Sequence, residues 1–234
     1  MLRGIDVSNN NATNPDYPFD LSMVLNSIDF AVMKATGGDW FVDGWCDKWV
    51  QMCIQHEVPW GFYHFGHDGS QESPYESADF FMENTINYFG HGIPFLDWER
   101  DTMTVAWVND FVYRVHKETG VWCPIYANPY RFNQGGVEPN CMRWVADYPN
   151  VVRPGLDYNP GEPPSADGLV GMWQYASDGV VDGYSGNLDV NHFFGDLAAW
   201  NAYAHVPESV QPTPEPTSQS VLENDEYRVV VERK

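Results

Sequence analysis

Basic residues are scarce in this 234-residue chain: 12 Lys and Arg stand against 33 Asp and Glu, for a net charge of −21. Nucleic-acid binding needs a basic face, so this balance argues against such a partner. It argues equally against unaided attraction to an anionic membrane or wall. Cysteines are few. Cys46, Cys53, Cys123 and Cys141 include no C-x-x-C pair, which argues against zinc. Cys46 and Cys53 share a predicted helix but lie two turns apart along it, too far to bridge. The expectation is four free, mostly buried thiols and a reducing site of synthesis. Long apolar runs are missing, and none approaches the ~20 residues of a membrane-spanning helix. The chain opens Met-Leu-Arg-Gly-Ile-Asp, a strand rather than the apolar core of a signal peptide; synthesis in the cytoplasm without a signal peptide is expected. Walker A, G-x-G-x-x-G and H-E-x-x-H patterns are all lacking, so neither a metal nor a cofactor is expected. No internal repeat is found.

Aromatic residues and acids are plentiful instead. Ten Trp and thirteen Tyr suit stacking on sugar rings as well as core filling. The acids concentrate meaning at Ile93–Arg100, Ile-Pro-Phe-Leu-Asp-Trp-Glu-Arg. An apolar run ends there in two carboxylates, as a buried strand does when it runs out into an active site. Side chains two apart on a strand share a face, with Cα atoms roughly 6.5–7 Å apart. Asp97 and Glu99 therefore project together while Trp98 points away. Two carboxylates held close do not ionise independently, and one is pushed toward its protonated form, as a general acid requires.

Strands are predicted at Arg3–Ser8, Asp29–Ala35, Pro59–Phe65, Ile93–Glu99, Cys123–Ala127, Arg143–Asp147, Leu169–Tyr175 and Leu188–Asn191. Asn9–Pro18 reads as a loop and Phe19–Ser27 as a short helix. Asp43–Glu57 has helical periodicity. The helix after Ser73 has an N-cap, Pro74 at its first position and Glu76 to complete a capping box. Helices are also predicted at Met103–Glu118, at 128–133 and at Phe194–Ala204. Between the sixth and seventh strands, Pro149–Gly168 is a long Pro- and Gly-rich loop, of the kind that is often functional. Strands alternating with helices predict an α/β fold with a parallel sheet. About eight strands with about five intervening helices predict a single irregular TIM-like barrel whose last third has lost its crossover helices. Active sites of such barrels sit at the C-terminal ends of strands. Asp6, Asp97, Glu99 and Asp189 are each placed at or near such an end. After residue 205 the composition changes. Residues 206–220 read as a Pro-rich linker, and 221–234 as a tail with a strand at Tyr227–Val231. That strand either begins a further module or pairs with another sheet edge.

In their order, Gly4–Ser8, Phe30–Thr36, Gly61–Phe65, Leu96-Asp-Trp-Glu99, Ile125–Asn128, Trp144–Tyr148, Trp173-Gln-Tyr175 and Leu188–Asn191 resemble the motifs of glycoside hydrolase family 25, the N-acetylmuramidases or lysozymes. The likeness covers residues 2–200. It implies a barrel with few helices and hydrolysis of the β-1,4 bond between N-acetylmuramic acid and N-acetylglucosamine in bacterial peptidoglycan. The family is found in phage endolysins and bacterial autolysins; with no signal peptide expected, a phage endolysin setting with release by a partner holin is the expectation. Two positions depart from the family pattern: Gly37, where the family commonly has Glu, and Asp182 before Gly183, where a proline is usual. Asp182 is therefore expected as an extra rim carboxylate. Two readings compete: a barrel with a dead site that only binds wall carbohydrate, motivated by Gly37, and a glycosidase on a similar barrel that cuts another N-acetylhexosamine bond.

Under this resemblance Glu99 is the general acid. Asp97 either tunes it by like charge or orients the substrate's 2-acetamido group. Asp6 or Asp189 could instead face Glu99 across the bond, with separations of ~5–5.5 Å favouring retention and ~6.5–9.5 Å favouring inversion. Tyr63, Tyr126, Trp144, Tyr148 and Trp173 match positions around the family's cleft and are expected to contact sugar. Lys34 is either a rim cation or a partner for Asp6. His64 reads as a satisfied core histidine. The negative charge adds one more expectation, a downstream wall-binding module to hold the catalytic domain on an anionic wall.

Overall fold

A computed structural model describes residues 1–66, 72–204, 220–223 and 228–231. In chain order its main sheet comprises β1 (Leu2–Val7), β2 (Phe30–Gly37), β3 (Phe41–Val42), β4 (Trp60–Phe65), β5 (Ile93–Asp97), β6 (Ile125–Ala127), β7 (Arg143–Ala146), β8 (Val170–Gly179) and β9 (Leu188–Phe193). β1 pairs with both β2 and β9, which closes eight strands into a barrel; β3 only folds back on the end of β2. Between barrel strands lie α1 (Asn9–Ala12), α2 (Cys46–Gln55), α3 (Pro74–Thr85), α4 (Val105–Thr119) and α5 (Pro129–Phe132), and α6 (Leu197–Ala204) follows the last strand.

Local chemistry sets several boundaries. Glu76 N–H donates to Ser73 Oγ at 3.2 Å while the Glu76 carboxylate accepts from Ser73 N–H at 3.0 Å, the reciprocal cap that starts α3. Gly120, at φ 75°, ends α4. α1 falls where only a loop was expected. Ser8 caps it, and Asn11 completes the box in place of the usual Glu or Gln, which hid the signal. The helix expected at Phe19–Ser27 shrinks to one 3-10 turn, Leu21–Met23, capped by Asp20.

Strand alternation divides the core in two. Phe30, Val32, Ile93, Phe95, Met172 and Phe193 point into the barrel. Trp200 of α6 closes its floor, its ring centroid 4.6 Å from Phe30 and 5.1 Å from Phe193. Ile5, Met33, Leu96, Val145 and Tyr175 point outward into the layer that packs on the helices. The four cysteines are free and buried.

One expectation is corrected here. The barrel strands from β1 round through β8 are parallel, β3 lying outside the barrel, but β9 is antiparallel to both β8 and β1. Without a crossover helix after β8, the chain returns by a turn, which only an antiparallel partner allows. Asp189 is thus the second residue of β9 and not near its C-terminal end. Because β9 runs in reverse, its start still meets the C-terminal ends of the other strands. Pro149–Gly168 forms no helix, and its end is held by buried Arg143, whose Nε donates to Asp167 O at 2.8 Å. The tail strand lies at β11 (Arg228–Val231) and pairs antiparallel with β10 (Ser220–Glu223), a two-stranded sheet of their own. The expected linker, 206–220, lies outside the described residues except for Ser220. Among the described residues no helix is long and apolar enough to cross a membrane.

Candidate active site

The closing pair of the barrel sets two carboxyls face to face. Asp6 is directly opposite Asp189 in the β1–β9 register, and the two are hydrogen-bonded through their side chains. Asp6 Oδ2 also accepts from Gln174 Nε2 at 2.8 Å and Asn191 Nδ2 at 2.7 Å. Burial pushes Asp6 up to about 6, with the bonds from Asn191 and Gln174 opposing the rise. Asp189, which lacks those donors, is pushed well above the carboxylate range by burial and by the charges of Asp6 and Glu99. The pair thus holds a proton on Asp189 and donates it to Asp6.

Across the mouth, Asp97 is the last residue of β5 and Glu99 lies two beyond it. The strand pattern runs on for one residue, since Trp98 N–H donates to Tyr126 O at 2.8 Å. Trp98 is therefore buried on the outer face, its indole donating to Met103 O at 2.7 Å, and Asp97 and Glu99 both face the cleft. Arg131 Nη2 fixes the Glu99 carbonyl oxygen at 2.5 Å and bonds Asp101 at 2.8 Å. Asp97 is buried, and its Oδ1 has no hydrogen-bond partner among the described residues. Its carboxyl is held well above the ordinary range by burial, then by Glu99 and Asp6. Glu99 stands exposed at the mouth. Its pKa is raised too, by desolvation of its carboxyl, against the pull of Arg100, Arg131 and Lys34. Of the two, the deeper Asp97 takes the larger rise.

A cleft of about 490 Å³ collects nine of the ten residues singled out from sequence: Asp6, Asp97, Glu99, Asp189, Lys34, Tyr63, Tyr126, Trp144 and Tyr148. Trp144 is almost wholly buried in its floor and donates from Nε1 to Asn191 Oδ1 at 2.8 Å. Lys34 is a rim cation, over the rings of Phe65 at 4.7 Å and Phe41 at 4.9 Å, in the field of Asp97, Asp43 and Glu99 rather than Asp6. Trp173 is the exception. On β8 its neighbours Met172 and Gln174 point inward, so Trp173 points out, buried against Tyr175 with Nε1 donating to Asp147 O at 2.6 Å. It anchors the segment that carries Tyr148 and does not line the cleft. Nor does Asp182, the expected extra rim carboxylate, line it. His64 is a core residue, with Thr36 Oγ1 and Ser77 Oγ each 2.8 Å from a ring nitrogen.

Sequence reasoning missed the amides that join these groups. Gln174 Oε1 accepts from Tyr126 Oη at 2.9 Å and Tyr148 Oη at 2.5 Å, while its Nε2 is spent on Asp6. One side chain therefore ties the acid pair to both tyrosines. Arg131 was missed likewise. The signal was present in the inward parity of Gln174 and Asn191, but an uncharged amide does not stand out in a sequence. Among the described residues no cluster of His, Cys, Asp and Glu has the arrangement to hold a metal ion.

The chain's sequence matches Glycosyl hydrolases family 25 over residues 5–184. It is 27% identical over 196 residues to the Escherichia coli O157:H7 protein YegX, an alignment that covers 80% of this chain and 66% of that protein, just under two thirds of its length. The fold is similar to that of a bacterial lysozyme from Streptomyces coelicolor, with a TM-score of 0.71 and 25% identity over 87% of this chain and 97% of the other. It is also similar to the catalytic domain of endolysin ply40 from bacteriophage P40 of Listeria monocytogenes, with a TM-score of 0.65 and 21% identity over 88% and 98%. The family match spans most of the chain, all four cleft carboxyls but Asp189 fall within it, and the barrel agrees: this chain belongs to glycosyl hydrolase family 25 and is a glycoside hydrolase.

Proposed function

We propose that this enzyme is a muramidase, hydrolysing the β-1,4 bond between N-acetylmuramic acid and N-acetylglucosamine in bacterial peptidoglycan. The observation that carries the reading is the pairing of an exposed, pKa-raised Glu99 with a buried Asp97 whose Oδ1 is unpartnered, in one cleft lined with tyrosines. Glu99 is the general acid. It protonates the leaving oxygen, and its raised pKa keeps a proton available for that step. Asp97 orients the 2-acetamido group. The unpartnered Oδ1 of its buried carboxyl is placed to accept an amide N–H whose acidity grows as positive charge develops on the ring. Holding that N–H turns the acetamido oxygen toward the anomeric carbon, which is the substrate-assisted route. Asp6 and Asp189, sharing one proton, add a single negative charge beneath the ring, which Asp6 holds against Gln174 and Asn191. Tyr63, Tyr126, Tyr148 and Trp144 shape the cleft around the sugar. Phage lysis, as for an endolysin, is the setting we propose, with a wall-binding module downstream.

The test is digestion of purified peptidoglycan, borohydride reduction and mass spectrometry of the new ends. Muramitol is expected. Glucosaminitol would refute the bond assignment, and no new ends would leave a wall-binding barrel. Glu99→Gln is expected to lower kcat about 10²- to 10⁴-fold, the usual contribution of a general acid, with KM little changed.

A further inference from the structure

A second cleft, of about 460 Å³, opens on the other side of Glu99. It shares Glu99, Tyr126 and Tyr148 with the acidic cleft, and its own lining brings in Asn128, Tyr130 and Asp147. Its volume is that of a ligand site. Tyr130 stands at 78% exposure and Tyr148 at 50%, two large rings left in solvent beside a sugar-cleaving acid. Asn128 spends its Oδ1 on capping α5, accepting from Arg131 N–H at 3.0 Å, which leaves its side-chain NH₂ as a donor. Asp147 offers a carboxylate acceptor. Aromatic faces with a few polar groups between them are what a pyranose presents a match for.

The electrostatics give the two clefts a direction. Positive charge develops on the ring whose glycosidic bond breaks, so that ring belongs over Asp6, Asp97 and Asp189. Glu99 protonates the oxygen between the two sugars and must sit at the divide. We infer that the second cleft is the leaving-group subsite, which binds the N-acetylhexosamine released with the new free hydroxyl, and that Tyr130 is its stacking platform. The inference rests on the muramidase reading for the identity of the sugar. It assigns to Tyr130 a role that no other feature of its position explains, because a side chain so exposed contributes little to the fold.

The test uses soluble glycan chains of defined length and compares wild type, Tyr130→Ala and, as a control at an exposed ring on α4, Tyr113→Ala. Wild type must first give muramitol ends; if it does not, the muramidase reading fails separately. With that reading intact, Tyr130→Ala is expected to lower kcat/KM about tenfold. It should also move the cleavage sites toward the reducing end, since fewer sugars on the leaving side are then held. Tyr113→Ala should match wild type. The inference is overturned if Tyr130→Ala matches wild type in both rate and cleavage pattern. It is equally overturned if cleavage moves toward the non-reducing end, which would put the second cleft on the retained side.

Discussion

At the scale of single residues, the site is organised by neutral side chains as much as by acids. Asp6, Asp97, Glu99 and Asp189 were legible because a carboxylate at the edge of an apolar strand is a visible anomaly. Gln174 carried no such mark, yet it joins Asp6 to Tyr126 and Tyr148. Its amide orientation follows from Asp6, which only accepts and so draws Nε2; Oε1 must then face the tyrosines. Both tyrosine protons are consumed, and the lone pairs left on those hydroxyls are acceptors for substrate N–H or O–H groups. Gln174→Met keeps the bulk and removes the relay. We expect a loss of ~2–4 kcal/mol in stability by denaturant melt, because several buried polar groups lose a partner, together with a fall in kcat of at least tenfold. The error at Trp173 has a different source. Alternation along β8 already pointed it away from Gln174, and a motif match that ignores parity assigns the wrong face.

At the scale of elements, helix caps and apolar alternation carried most of the fold into view, and strand direction was what they left out. Period-two alternation is the same whichever way a strand runs, so nothing in Leu188–Phe193 marks β9 as reversed. Its reversal is nonetheless what sets Asp189 against Asp6. The turn that feeds β9 depends on Gly183. Its φ is 101°, and a Cβ there would lie 1.9 Å from Met23 O. Nearby, Asp182 O accepts from Ser27 Oγ at 3.0 Å, tying the turn to the segment before β2. Gly183→Ala is expected to lose about 2–4 kcal/mol, from left-handed backbone strain plus a backbone clash that must be relieved by movement. Calorimetry should show the lowered Tm. Activity should fall as well, since the same turn leads directly into Asp189; a variant that lost stability but kept full activity would show that β9 is positioned without it.

At the scale of the whole molecule, acidity governs both stability and access to substrate. Asp6 in the folded chain titrates at about 6 against an ordinary 3.8. The native state therefore holds a proton that the unfolded chain has released, so the stabilisation is complete below the ordinary value and is lost as pH rises through 6. For Asp6 alone this amounts to about 3 kcal/mol. Asp97 and Asp189, raised further, extend the same loss to higher pH. The Tm is expected to be higher at pH 5 than at pH 8, and Asp97→Asn should flatten that slope. The net charge of −21 acts in the same direction through self-repulsion, but salt separates the two effects: it screens surface repulsion and leaves the buried carboxyls nearly untouched. The same screening bears on function. An anionic wall repels this chain, and between 0.01 and 0.15 M salt the Debye length falls from ~30 to ~8 Å. Hydrolysis of intact walls should therefore rise over that range, while hydrolysis of short soluble glycans, whose few carboxylates set up a far weaker field than the wall, should change much less. Equal salt dependence on both substrates would trace the effect to the cleft rather than to the approach of enzyme to wall.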